Sequence, residues 1–300
     1  MGKVIVVTDS SANVPPQMAE QLDIRVVPIV LALNGHTFRD GVEITAHDVY
    51  RWLRDSRHSP TTSAPSVGDF VRTYANAAQE ADGIVSIHMS PKLSGTFNAA
   101  SAASRLVDDV PIEVIGCPSA AMGQGFAVLA AARAAQAGQS LAAARARAEQ
   151  VAAKVNVLAT IGTLEYLHRG GRIGGAAALL GAMLQIKPVL CLTGGDVDVF
   201  ARPRTQAKAV RAMLDHMARQ VNGCQVHAAV LHADVPEEAQ ALRQKLAERF
   251  DCAELYVTEL TPVMSAHTGP GVLGVVYYAE DQDEYHAQSQ EGAESQTQAA

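Results

Sequence analysis

The chain has 300 residues, enough for two domains with separate cores or for one large one. Hydrophobic residues make up 48% and charged residues 18%, the balance of a folded globular protein, and a net charge of −7 shows no basic excess of the kind nucleic-acid binders use. No run of about 18 apolar residues occurs, so no helical membrane span or stable membrane insertion is expected.

The start of the chain enters an apolar, strand-like run at once and lacks a signal-peptide pattern, which points to the cytoplasm. The four cysteines, Cys117, Cys191, Cys224 and Cys252, have no metal-ligand spacing and are expected as buried free thiols in a reducing compartment. Aromatic residues are only 5%, so any cavity should be walled by aliphatic side chains.

Residues 4–7 form a short continuous apolar run, as in a strand buried on both faces. A polar loop, Thr8-Asp9-Ser10-Ser11, follows, and Pro15-Pro16 opens a short helix to residue 21. Residues 24–33 read as one β-branched strand leading into an Asn34-Gly35 hairpin turn. Thr45-Ala46-His47-Asp48 and Ser66-Val67-Gly68-Asp69 look like helix caps. Strands at 83–88 and 112–115 alternate with helices at 121–135 and after Gly95. This βα rhythm predicts a mainly parallel sheet flanked by helices over residues 1–155.

Past the helix at 141–154 the rhythm changes. Strands are predicted at 157–161, 188–192, 197–200, 226–231, 253–257 and 272–278, with a hairpin at Gly194-Gly195-Asp196. A short helix fills 164–168 and a longer one 204–220, and Asp234 caps another that has Pro236 close to its first turn. Residues 156–280 are therefore expected as an α/β domain with a mixed or antiparallel sheet. Residues 176–186 are apolar almost all round and should be a buried helix or the wall of an apolar tunnel. From 281 to 300 the chain is polar and aperiodic, and a disordered tail is expected.

Three polar clusters carry the candidate chemistry. Residues 60–66 gather Thr61, Thr62 and Ser63 before a helix cap. Residues 90–96 hold Ser94 and Gly95 at a strand end that opens a helix, a place suited to an anion. Residues 266–271 place His267 before Gly269-Pro270-Gly271. Hydroxyls in such loops also serve simply as caps. The stretch Gly170-Gly171-Arg172-Ile173-Gly174-Gly175 lacks nucleotide-binding spacing. Arg172 there fits either an anion contact or a plain helix stop. No nucleophile elbow surrounds Ser94, and no metal motif occurs.

Taken in order, seven segments resemble the DegV family over about residues 3–279. They are Val7-Thr8-Asp9-Ser10-Ser11, Arg39-Asp40-Gly41-Val42, Thr62-Ser63-Ala64-Pro65-Ser66, Lys92-Leu93-Ser94-Gly95-Thr96-Phe97, the run from Leu164 through Gly174, Ile186-Lys187-Pro188-Val189-Leu190 and His267-Thr268-Gly269-Pro270-Gly271. The resemblance implies a non-catalytic carrier with no cofactor. Such a protein holds a long-chain fatty acid such as palmitate between two domains, its carboxylate on Thr62, Ser94, Gly95 and His267. It further implies, for some members, a role as the binding subunit of a fatty acid kinase, whose ATP-binding partner makes the acyl phosphate. Arg172 and Arg204, with Lys208, are candidate contacts for that partner or phosphate. A stand-alone lipid hydrolase or acyltransferase using Ser94 and His267 is the alternative, and a ligand-sensing regulator is a third.

Overall fold

The computed structural model describes residues 2–55, 60–183 and 185–280. The tail expected to be disordered lies outside them. The first half opens with β1 (Val4–Asp9), α1 (Pro16–Gln21) and β2 (Arg25–Val27). Pro16 starts α1, where its fixed φ suits the helix and its missing N–H is not needed.

The single strand expected over 24–33 is two strands in different sheets. Pro28 cannot donate a ladder hydrogen bond, and the chain turns away there. β2 pairs in parallel with β1, whereas β3 (Val30–Leu33) pairs antiparallel with β4 (His36–Arg39). Asn34 and Gly35 between them both take positive φ, as this tight turn requires. Both expected caps are full capping boxes: Thr45 with Asp48 starts α2 (Ala46–Arg54), and Ser66 with Asp69 starts α3 (Val67–Ala78). The polar cluster at 60–66 is not all loop. Within it, β5 (Thr61–Ser63) adds to the free edge of β3.

β6 (Gly83–Met89), α4 (Thr96–Ser104) and β7 (Ile112–Cys117) complete a parallel sheet of order β2-β1-β6-β7. Its side chains alternate by the period of two. Ile5, Val7 and Ile84 pack with Phe70, Tyr74, Ala100 and Ala103 of α3 and α4. Val6, Val85 and Ile87 face the opposite way, towards α5 (Met122–Gln136) and α6 (Leu141–Lys154).

After Lys154 the chain enters β8 (Asn156–Thr160) of a second sheet. Next come α7 (Glu165–Arg169), β9 (Val189–Thr193), β10 (Asp196–Ala201), α8 (Gln206–Val221), β11 (Val226–Ala233), α9 (Pro236–Arg249), β12 (Cys252–Glu259), α10 (Pro262–Thr268) and β13 (Val272–Ala279). The sheet order is β10-β9-β8-β13-β11-β12, with only β11 and β12 parallel. Leu158, Val189, Val230, Leu273 and Val275 pack under α8 and α9 on one face. On the other face Leu190, Leu231, Val272 and Val276 share a single core cluster with α5, α6 and the parallel sheet. The alanines of α5 leave little side chain on any side, so this helix is buried almost all round between the two sheets.

Three further expectations need correction. Asp234 is not a cap: Val235 holds that position, and Asp234 takes positive φ and pairs with Arg54. Residues 176–186 are not a buried helix. Gly174–Ala182 is a 3₁₀ helix whose period of three puts Ala176 and Leu179 inside, while Leu180 stays 40% exposed. Of the cysteines, all free, only Cys117 is buried; the other three are half-buried. Among the described residues, no helix is long and apolar enough to cross a membrane.

Candidate functional site

Where the two sheets face each other they leave a cavity of about 1170 Å³, counted to its open mouth. Most of the lining is aliphatic. Val157, Ala159 and Ile161 line it along β8 and just beyond, while Leu158 turns to the opposite core. Leu190, Leu192, Leu231 and Val272 continue the wall.

One end is polar. It collects Thr62 of β5, Ser94 and Gly95 at the start of α4, Arg172, and His267 of α10. Thr62 Oγ1 and His267 Nε2 lie 2.7 Å apart, and the tautomer decides which one donates. Ser94 Oγ lies 2.8 Å from Thr96 Oγ1 and accepts the Thr96 amide at 3.3 Å. Gly95 is the N-cap residue of α4, whose first-turn amides lack intrahelical acceptors. Arg172 donates from Nε to the Leu93 carbonyl at 3.1 Å and from Nη1 to the Gly170 carbonyl at 2.5 Å. With the Lys92–Asp196 ion pair, 2.7 Å long, it ties the loop that carries Ser94 to the second sheet's side of the cavity.

The four residues expected to form the head-group site are thus brought together, with Arg172 beside them. Arg204 and Lys208 are not: both are exposed and lie outside the cavity lining. Among the described residues of the segment 176–186, none lines the cavity. Instead the wall comes from β8, β9, β11 and β13. α10, which carries His267, was also missed; Thr261 followed by Pro262 is an N-cap and first-turn pattern that marks it.

The glycine-rich loop is a packing device. A methyl on Gly170 would lie 2.3 Å from His267 Nδ1, and one on Gly174 would lie 2.3 Å from the Val197 carbonyl oxygen. Gly170→Ala is therefore expected to displace the imidazole and to cost on the order of 1–3 kcal/mol. Thermal unfolding checks this, and unchanged stability would mean that His267 moves freely.

Burial pushes the His267 pKa from 6.5 down to about 4, and the nearby Arg172 charge adds to the shift. The imidazole is therefore neutral at neutral pH. The unfolded chain takes up its proton near pH 6.5 and the native protein only near 4. This group leaves stability unchanged above that window and lowers it as pH falls through it, by up to roughly 3 kcal/mol. Urea midpoints measured from pH 7 to 4 should fall less steeply in His267→Gln than in the unmodified protein.

Among the described residues, no group of three or more His, Cys, Asp or Glu is placed to hold a metal ion. A family model described as uncharacterised proteins of the DegV family matches residues 3–280. The chain belongs to the DegV family. It is 41% identical over 275 residues to a DegV domain-containing protein of Streptomyces coelicolor, covering 91% of this chain and 97% of that one. Among solved structures, a DegV protein from Thermus thermophilus described by its fatty acid binding superposes with a TM-score of 0.88 at 38% identity, covering 93% of this chain and all of the other. DegV of Bacillus subtilis, described as a fatty acid binding protein, gives 0.85 at 30% identity, again over 93% and 100%. A stearic-acid-binding protein from Eubacterium ventriosum gives 0.83 at 26%, over 91% and 97%.

Proposed function

We propose that this DegV-family protein binds one long-chain fatty acid, with the carboxylate at Thr62, Ser94, Gly95 and His267 and the acyl chain along the β8 and β9 walls. The observation that carries this reading is the lining of the cavity: mostly aliphatic walls with one polar cluster of Thr62, Ser94, Arg172 and His267. Each methylene moved out of water contributes about 0.8 kcal/mol, so the tail dominates affinity. A buried carboxylate needs hydrogen-bond donors, and two hydroxyls, the start of α4 and the imidazole supply them. The fatty acids bound by the solved relatives support the same reading. Native mass spectrometry with lipid extraction tests it. One fatty acid per chain is expected, and protein that neither carries nor takes up palmitate would sink the proposal.

The finer reading is that the bound acid is presented to a partner kinase that phosphorylates its carboxylate. Arg172 supports it, because a guanidinium lining the cavity with Thr62, Ser94 and His267 has the charge that a developing phosphate needs. In a reconstituted kinase assay Arg172→Ala should lower acyl phosphate formation; a variant as active as the unmodified chain would remove this role. The hydrolase alternative gains no support from the polar end. Ser94 engages Thr96 and His267 engages Thr62, so the two do not form a nucleophile–base pair.

A further inference from the structure

The helix that carries His267 is capped from the other half of the chain. α10 lends Val263, Met264, His267 and Thr268 to the cavity lining. Pro262 brings no N–H, so the Val263 amide is the first of this helix that needs a partner. The N-cap residue, Thr261, makes no side-chain bond to the helix. The partner is Asp40, 223 positions away, whose Oδ1 accepts the Val263 amide at 2.9 Å. Asn13 fixes the approach to the helix: it accepts the Thr261 amide at 2.9 Å and donates to the Glu259 carbonyl at 3.0 Å.

Both capping residues are buried, Asp40 to 2% exposure and Asn13 to 6%. Burial raises the Asp40 pKa to about 6, and the Ser10 hydroxyl, the Val263 amide and the Thr261 hydroxyl partly counter that. The carboxyl is therefore largely ionised at neutral pH. An anion is the stronger cap, because the start of a helix favours negative charge.

Asp40 also belongs to the sheet that carries Thr62. It directly follows β4, and its amide donates to the Ile29 carbonyl at 2.9 Å. β4, β3 and β5 form one three-stranded sheet, in which Leu31 of β3 pairs with Phe38 on one side and Thr62 on the other. Val263 and Ala266 of α10 share a core cluster with Ile29, Leu31 and Ile44. One small sheet thus holds Thr62 directly and, through Asp40, the helix that bears His267. Their 2.7 Å contact needs both to stay in register. A helix displaced by one residue turns by about 100°, which would carry the imidazole away from the hydroxyl.

We propose that Asp40 and Asn13 are positioning residues of the head-group site: by capping α10 from the first half of the chain they hold His267 against Thr62. This rests on the fatty-acid reading of the cavity. The test uses the full-length protein and two readouts, the histidine ring NMR signal of His267 without ligand and the affinity for palmitate. Asp40→Ala and Asn13→Gly should each move the His267 signal and weaken palmitate binding roughly tenfold. Asp40→Asn should recover most of both, because its amide oxygen can still accept the Val263 N–H. In a His267→Ala background, Asp40→Ala should weaken palmitate no further. If Asp40→Ala does not fold, Asn13→Gly decides, since Asn13 has a φ of 56° that glycine adopts freely. An unmoved His267 signal in the folded variants, an Asp40→Asn protein as impaired as Asp40→Ala, or an undiminished effect in the His267→Ala background would each overturn the proposal. If the unmodified chain takes up no palmitate, the fatty-acid reading falls instead, and the ligand-free His267 signal still decides whether Asp40 and Asn13 position the imidazole.

Discussion

Asp9→Ala should destabilise the protein by about 3–5 kcal/mol, a large part of the roughly 5–15 kcal/mol that holds a typical fold together. Asp9 is wholly buried at the end of β1. Its Oδ2 lies 2.7 Å from His88 Nδ1 and accepts Gln124 Nε2 at 3.1 Å, while Oδ1 accepts the Ser11 amide at 3.0 Å. The chain of contacts continues from His88 Nε2 to Ser86 at 2.7 Å and on to the Tyr74 hydroxyl at 2.8 Å. Removing the carboxylate leaves the His88 Nδ1 and the Ser11 backbone N–H unpaired in the interior, each such loss costing about 1–3 kcal/mol, while Gln124 Nε2 keeps Thr8 Oγ1 and the Ile87 carbonyl. Thermal unfolding should show a drop of roughly 5–10 °C. Asp9→Asn keeps the shape and part of the bonding and should cost less. A change below about 1 kcal/mol for Asp9→Ala would mean that neighbouring groups or water re-satisfy the network.

That network shows where reading from sequence stops. Thr8-Asp9-Ser10-Ser11 reads as a polar loop because four polar residues follow an apolar run, yet Thr8 and Asp9 complete β1 with no exposure. What makes their burial tolerable is His88 and Gln124, 79 and 115 positions away. Local pattern carries no information at that range. Continuous apolar runs and capping boxes are local, and the elements that depend on them were legible: β6, β11 and β13, and the starts of α2 and α3.

The elements that were not legible fail for identifiable reasons. β5 is three hydroxyl residues with no apolar face, and its strand character comes from pairing with β3. Residues 174–182 are so uniformly apolar that no period could distinguish a 3₁₀ turn from a buried α-helix. At the candidate site the polar residues were found through ordered motifs from three distant loops. The aliphatic walls were not, because Leu190, Leu231 and Val272 look the same whether they face a core or a cavity.

The polar end allows the proposed ligand to be tested in two independent parts. Thr62→Val and Ser94→Ala each remove one hydrogen bond to a charged carboxylate, worth about 1.5–3 kcal/mol, so palmitate should bind roughly 10- to 100-fold more weakly to either variant. Thr62 also holds His267 Nε2 at 2.7 Å, so Thr62→Val and His267→Ala should be strongly non-additive. Ser94 is tied instead to Thr96, in a separate loop, and its loss should couple less to His267. Shortening the acid from palmitate to laurate removes four methylenes, about 3 kcal/mol of tail burial, in every variant alike. Head and tail then contribute separately: each substitution lowers affinity by the same factor for both acids. Unchanged affinity in both variants would refute the head-group assignment. A loss that vanished for laurate would mean that the two acids lie differently in the cavity and that Thr62 and Ser94 meet the chain rather than the carboxylate.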